Sequence, residues 1–305
     1  MELRHLRYFL AVAQELSFTR AAERVGIAQP PLSYQITNLE HELGTPLFNR
    51  TRRSVALTPA GEALVPYAKL ILNLTENAAS SIKALGSGQA GTLRVGALFS
   101  TIYTFLPAVI QRFRTIRPDV KLLIQQMTVK EQLAALQDGT IDVGLLRGPP
   151  ETGDLKARTL ANERFMAAIP HGHPLGDQDI VSLDALVQQP FLMISSTFNR
   201  DFTARVRSML SRYETNLHVV EEVTDIHALI GLVAAGLGVT LVPESISHIR
   251  PEGVRFRAIS GADMTIPLNL VWLSDSYAPP REAFVSCAEE VAADRFGQTP
   301  PGDDQ

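Results

Sequence analysis

The sequence predicts two folds in one chain: an all-α helix-turn-helix module with a short wing and a long linker helix, then an α/β domain of two lobes. Three observations carry this. Apolar residues recur at helical spacing through the first forty or so positions, broken at Gly26 and Gly44. A nearly heptad run of apolar residues follows over 64–85. Beyond it, short apolar strands alternate with amphipathic helices, the signature of a parallel sheet with crossover helices. The 305 residues exceed what one ordinary core holds, and 45% hydrophobic against 20% charged residues is a globular balance.

In the first module, Leu6, Phe9, Leu10 and Val12-Ala13 form one stripe of a helix over 5–15. Ser17 offers a capping hydroxyl to a short helix over 18–25, which Gly26 interrupts. Pro30 and Pro31 suit the first turn of the next helix, where backbone N–H groups lack partners in any case. That helix turns Leu32, Ile36, Leu39 and Leu43 inward and stops at Gly44. PLFNR, the basic TRR and the alternating SVALT read as a hairpin with its tip at Asn49–Arg53. Thr58-Pro59-Ala60-Gly61-Glu62 then starts a helix with a threonine cap, an early proline and an early acid. It runs to about Leu85, roughly 27 residues or about 40 Å. Leu64, Tyr67, Ile71, Leu74, Ala78, Ile82 and Leu85 make its seam, and Pro66 inside the pattern predicts a kink. Such a helix is too long for its own small domain, so a second copy of the chain is expected on the seam. Gly86–Gly91 reads as a flexible hinge.

Strands are expected at 92–98, 120–127, 141–146, 163–170, 191–195, 217–223, 238–243 and 267–273, with helices at 105–113, 130–137, 202–210, 226–235 and 281–294. The expected domains are a winged helix-turn-helix over 1–58 (the motif at about 18–37), a dimerisation helix over 59–86, a hinge at 87–91 and an effector domain over 92–296. Within it, lobe I takes about 92–162 and 266–296 and lobe II about 163–265, and 297–305 are expected to be a disordered tail. Two lobes joined by crossing strands imply a ligand cleft between them.

Charge is divided unevenly. The whole chain carries −4, residues 1–60 carry +2 and the remainder −6. A basic module on an acidic body fits a protein that meets phosphate at one end. Cys287 is the single cysteine, which excludes an internal disulfide or a cysteine metal cluster. No apolar run reaches 18 residues and the N-terminus lacks a signal-peptide layout, so a cytoplasmic protein without a membrane span is expected. His171 and His173 sit in a Gly/Pro loop with no third ligand in view, and no metal or cofactor is expected. No nucleophile triad, phosphate-binding glycine loop or HExxH supports an enzyme.

A reading helix must bury one face and offer side chains at its N-terminal end to base edges. Gln29, Ser33 and Tyr34 lie on that outward face: Gln suits adenine, Ser a base or phosphate, Tyr stacking or phosphate. Arg50, Arg52 and Arg53 at the wing suit backbone or minor-groove contact. Thr19, Arg20, Pro30 and Asn38 complete the expected DNA-binding set. A solvated polar helix and basic loop would be the bland alternative. Residues 1–61, from MELRHLRYF through AQPPLSYQITNLEHEL to TPAG, resemble the N-terminal signature of the LysR-type transcriptional regulators almost throughout, and the rest of the chain more loosely. RHLRYF, AQPPLS and LVAAGLGVTLVP (232–243) are most similar to the branch that senses benzoate, muconate and related aromatic-degradation intermediates.

The resemblance implies a dimer through the 58–85 helix, usually a tetramer, a spaced and roughly palindromic operator on double-stranded DNA, contact with RNA polymerase, an activator, and a periplasmic-binding-protein-like effector domain. Members commonly carry Arg where this chain has Tyr34, which bears on operator preference. The expected effector is a small carboxylate, aromatic or dicarboxylic. Ser100 and Thr101 open a helix after the first strand, where N–H groups favour an anion, and Thr128 and Arg147 follow the second and third strands. In the resembling branch the first serine matches Ser100, its second hydroxyl matches Val129, and an aromatic near the ligand ring matches Phe202. Arg200 stands beside Phe202 and would suit a more anionic ligand. The alternatives are that Ser100 and Thr101 only cap a helix and that Arg147 and Arg200 are surface charges. For the whole chain, the alternative is a solute-binding or enzymatic α/β domain with an N-terminal assembly module.

Overall fold

The computed structural model describes residues 1–51, 54–86, 91–148, 153–196, 200–211, 217–260, 265–274 and 280–297, without the side chains of 77, 80, 81, 83–86, 200 and 201. Residues 1–91 with 134–141 form one compact unit and the remaining described chain a second.

The first unit opens with α1 (Leu3–Glu15), α2 (Phe18–Val25) and α3 (Gln29–Leu43). Local signals set their ends. The Ser17 side chain accepts from Arg20 N, and Gly26 and Gly44 end α2 and α3 in the left-handed conformation at φ 73° and 69°. Leu6, Phe9, Val12, Leu32, Ile36 and Leu39 are buried together. The Phe48 ring joins them, 5.5 Å from Phe9 and 5.8 Å from Phe18. Phe48 belongs to the wing, an antiparallel pair of β1 (Phe48–Arg50) and β2 (Val55–Leu57) with Asn49 opposite Ala56.

Thr58 joins the wing to the long helix α4 (Pro59–Gly86). Its hydroxyl donates to Pro46 O at 2.7 Å and accepts from Gly61 N at 3.0 Å. Gly61 has no room for a side chain, because a Cβ there would run into the Leu47 carbonyl and the Leu57 side chain. Leu64 and Ile71 of the expected seam pack partly on the helix-turn-helix core. Tyr67, Leu74 and Ile82 stay 64%, 56% and 71% exposed, an apolar stripe that the unit itself does not cover.

After α4 come β3 (Thr92–Ala97), α5 (Phe99–Thr104), α6 (Leu106–Ile116), β4 (Lys121–Gln126), α7 (Val129–Gln137), whose residues from Ala134 on fall in the first unit, β5 (Val143–Arg147), β6 (Leu155–Pro170), β7 (Ile180–Ser182) and α8 (Leu183–Val187). There follow β8 (Phe191–Ile194), α9 (Arg200–Leu210), β9 (Val219–Val223), α10 (Ile226–Ala234), β10 (Thr240–Pro243), β11 (Val254–Ser260), β12 (Thr265–Leu273) and α11 (Arg281–Phe296). In lobe I, β3 pairs in parallel with β4 and β5, as the strand–helix alternation predicts. The sheet is not parallel throughout, however: β12 runs antiparallel to both β5 and β6. In lobe II, β10 and β11 run antiparallel to β6, β7 runs parallel to β11, and β8 and β9 form a parallel pair.

The strand expected at 163–170 is twice as long. The 16-residue β6 serves both lobes, its first half beside β12 and its second beside β10 and β11. The first half, LKARTLA, mixes charged and apolar residues and so lacks the apolar run that marks a strand. The chain leaves lobe I along β6 and returns along β11 and β12, and direct return without a crossover helix requires antiparallel pairing. Phe105, Val109, Phe113 and Phe284 are among the fully buried side chains of lobe I. Phe191, Leu192, Leu229, Val233 and Leu241 are among those of lobe II. Among the described residues no helix is long and apolar enough to cross a membrane, and no group of three metal-ligating side chains occurs.

Gly61→Ala should destabilise the first unit by about 1–3 kcal/mol, because the methyl runs into the Leu47 backbone carbonyl, which cannot swing aside as a side chain can. Urea unfolding followed by circular dichroism checks this, and an unchanged midpoint would contradict the packing described.

Candidate sites: an exposed helix face and an interlobe cleft

With Leu32, Ile36 and Leu39 inward, α3 turns its N-terminal end outward. Gln29 and Pro30 are exposed, Tyr34 is 65% exposed, and Ser33 and Asn38 are half-buried on the same helix. Thr19 and Arg20 are exposed on α2. The arginines are not loose charges. Arg50 Nη2 meets Glu40 Oε2 at 2.6 Å, Nη1 lies 3.5 Å from Ser33 Oγ, and the guanidinium sits 4.7 Å from the Phe18 ring centroid. Glu40 also accepts from the N–H groups of Leu47 and Phe48 at 2.9 and 3.1 Å, which fixes the approach to the wing. Arg20 and Arg24 both pair with Glu15, at 3.4 and 3.1 Å. Glu15 and Glu40 went unnoticed in the sequence because their partners lie five to ten residues away, beyond a simple helical neighbour rule. Arg52 and Arg53 lie outside the described residues, as does the side chain of Arg200.

The cleft of the second unit encloses about 120 Å³ of free space. That is of the order of the ~150 Å³ cavity that admits a benzene ring. Ser100, Thr128, Val129, Arg147 and Phe202 of the expected set line it, and the structure adds Phe99, Ile194, Asp225, Ile226 and Ile246 among others. Phe202 is buried, with its ring centroid 5.8 Å from that of Phe165. Thr101 does not line the cleft. It is fully buried and its hydroxyl donates to Leu98 O at 2.7 Å, an internal bond that neither caps α5 nor faces a ligand. Thr128 is occupied too: its N–H and hydroxyl both donate to Glu131 Oε2, at 2.7 and 2.9 Å. Those two bonds hold the Glu131 carboxyl below the usual carboxylate range.

Arg147 is neither a surface charge nor a free cation. At 3% exposure it closes β5 with Nε and Nη2 donating to Glu163 Oε1 at 3.1 and 2.7 Å. Nη2 also donates to Ser245 Oγ at 2.8 Å, and Nη1 donates to Ser100 Oγ. Glu163 Oε2 accepts from Ser245 N at 3.2 Å. One ion pair thus joins β5, the bridging strand β6, the α5 turn and the 3-10 turn Glu244–Ile249 of lobe II. Glu163 was missed in the sequence. The signal available was an acid at the head of the expected 163–170 strand, apolar apart from Arg164, which needs a cation if its face is buried.

The geometry defines a class: a helix-turn-helix module with an exposed apolar helix, and a two-lobed α/β unit with a small-molecule cleft, as in ligand-responsive DNA-binding regulators. Over residues 3–62 the chain matches the family described as bacterial regulatory helix-turn-helix protein, lysR family, and over 86–293 that described as LysR substrate binding domain. The chain belongs to the LysR-type transcriptional regulators, a family of DNA-binding regulators and not of enzymes. It is 39% identical over 275 residues to the uncharacterized HTH-type transcriptional regulator YnfL of Escherichia coli K12, covering 89% of this chain and 92% of that one. It is 36% identical to the HTH-type transcriptional regulator BenM of Acinetobacter baylyi over 88% of each chain. The crystal structure of full-length CbnR complexed with its target DNA superposes with a TM-score of 0.74 at 27% identity, over 95% of this chain and all of that one.

Glu163→Gln should cost about 3–5 kcal/mol of stability, since it leaves the Arg147 charge buried without a counter-charge. The double variant Arg147→Met with Glu163→Leu should lose less. Calorimetry of the three proteins decides it, and a single variant as stable as the parent would show that the pair is not buried in solution.

Proposed function

We propose that the cleft binds a small aromatic carboxylate, a catabolic intermediate, and that its occupancy changes transcription at promoters held by the α3 face. The observation that carries this is an apolar cavity with one polar end. Phe99, Ile194, Phe202, Ile226 and Ile246 supply the walls for a ring. At the polar end, Ser100 Oγ accepts from Arg147, so its own proton is left to donate to a bound carboxylate. A dicarboxylate fits less well. Among the described lining residues the only cation, Arg147, is matched by Glu163, and Asp225 places a negative charge at the rim.

At the other end of the chain, Gln29 and Ser33 read base edges, Tyr34 stacks or meets phosphate, Thr19, Arg20, Pro30, Asn38 and Arg50 hold the backbone, and Arg52 and Arg53 act from the wing. Two chains joined along the Tyr67, Leu74 and Ile82 stripe set two α3 helices on successive major grooves in the cytoplasm.

Benzoate at about 100 times its Kd should stabilise the protein by about 2.7 kcal/mol, and muconate by less. Thermal shift measures this; if muconate stabilises more, the diacid reading takes its place, and if neither does, the carboxylate class is wrong. Ser100→Ala should weaken benzoate binding about tenfold, a loss of about 1.4 kcal/mol, with operator affinity unchanged. Loss of both would remove Ser100 from the cleft's role. Tyr34→Ala should weaken operator binding by about 1–3 kcal/mol in a mobility-shift assay and leave benzoate binding alone. An unchanged operator affinity in Tyr34→Ala would remove Tyr34 from the DNA-contact set.

A further inference from the structure

The two polar ends of the cavity have opposite hydrogen-bonding sense. At the floor the Ser100 hydroxyl accepts from Arg147 and is left with a proton to give, and Arg147 itself is matched by Glu163. The Thr128 donors are occupied by Glu131. The rim offers an acceptor instead. Asp225 lines the cavity together with Thr224 and Gln126, and its side chain is 55% exposed. Its two oxygens are used unequally. Oδ1 caps α10, accepting from His227 N at 2.8 Å and Ala228 N at 3.0 Å. Oδ2 is met among the described residues by the Thr224 hydroxyl alone, at a long 3.4 Å.

The charge at the rim is also unmatched. No lysine or arginine among the described residues pairs with Asp225, and its neighbour is an imidazole, with His227 Nδ1 3.5 Å from Oδ1. Desolvation keeps that histidine below its ordinary value despite the carboxylate, so the ring is neutral at neutral pH. Desolvation would raise the Asp225 carboxyl too, but the N–H groups of Ala228 and His227 outweigh it and hold the carboxyl below its usual range. A charged acceptor with one oxygen in reserve therefore stands at the rim. The free space of about 120 Å³ takes one ring, so a ring whose carboxylate is at Ser100 fills the cavity and brings its far edge to the rim.

We infer that Asp225 is the residue by which the cleft selects its ligand, and that the ligand is a benzoate bearing an N–H or O–H donor on the ring, an amino- or hydroxybenzoate. This rests on the reading of that cleft as the site of an aromatic carboxylate and narrows it. A donor on the ring takes the reserve lone pairs of Oδ2 and forms a charge-assisted hydrogen bond. Unsubstituted benzoate leaves Oδ2 to water, and a second carboxylate at the same edge meets like charge. Asp225→Asn separates recognition from capping. The two backbone N–H groups need an acceptor, so the amide is held with its oxygen at the Oδ1 position and its Nδ2 at the Oδ2 position, and asparagine caps helices as well as aspartate does. The variant keeps α10 and turns the rim acceptor into a neutral donor.

The test is titration calorimetry on the full chain with benzoate, 3- and 4-aminobenzoate and terephthalate. Each affinity is taken as a ratio to that of benzoate on the same protein, so that a general loss cancels. In the parent the better amino isomer should bind about tenfold tighter than benzoate. In Asp225→Asn that ratio should fall to about one, and the terephthalate ratio should rise. A parent ratio near one overturns the Asp225 assignment. So does a preference for the amino isomer that persists in Asp225→Asn, which would give the donor to another group. A terephthalate ratio that does not rise overturns Asp225 as the barrier to a diacid. If benzoate binds and only the ratios fail, the Asp225 assignment falls and the carboxylate reading of the cleft stands; if no member of the series binds, both fall.

Discussion

A guanidinium taken out of water has to be matched, and the matching of Arg147 organises the second unit. One carboxylate satisfies Arg147 and the backbone of Ser245 at the same time. Two serine hydroxyls take further guanidinium protons. The pair is a poor source of net stability, because desolvation offsets most of its attraction. Its effect is positional. The end of β5, the middle of β6, the α5 turn and the turn after β10 are held to one point, and a cavity floor with a single oriented hydroxyl results.

The N-terminal unit uses ion pairs of the opposite sort. Glu15 and Glu40 collect Arg20, Arg24 and Arg50 on the surface, where a pair contributes about 0–1 kcal/mol. A phosphate can displace such a carboxylate at small cost, while until then the pairs keep the arginines ordered and the +2 of the first sixty residues from acting as loose charge. The buried pair resists exchange and the surface pairs permit it, so on the proposed reading the cleft floor stays fixed while the α3 face can change partner.

What could be read from the sequence follows the range of the interactions. Ser17, Gly26, Gly44 and the Thr58 cap act within a few residues, and they placed α2, α3 and the start of α4. The apolar runs of β3 and β5 marked buried strands directly. The first half of β6 and the charged alternation of β11, with Arg255 and Arg257 between Val254, Phe256 and Ala258, are strands only because a neighbour lies beside them. The cleft was legible as a place and as a set of residue types. It was not legible as an electrostatic site: whether Arg147 offers its charge to a ligand depends on Glu163 in the next strand, and whether Thr128 offers its donors depends on Glu131 one turn on.

Linkage then sets what a ligand in the cleft can do. It shifts an equilibrium only by as much as it prefers one lobe arrangement over another. A ligand that simply filled the apolar walls would have little preference, since most of those side chains belong to their own lobe's core in either arrangement. A ligand that takes the Ser100 proton is different. Ser100 is bound to Arg147, Arg147 to Ser245, and Ser245 belongs to lobe II. On the proposed reading, a carboxylate at Ser100 is therefore best held only where the floor network is intact and the lobes keep this spacing. On that reading the hydroxyl that recognises the ligand would also be the one that reports the lobe geometry, and recognition and response would rest on the same few atoms.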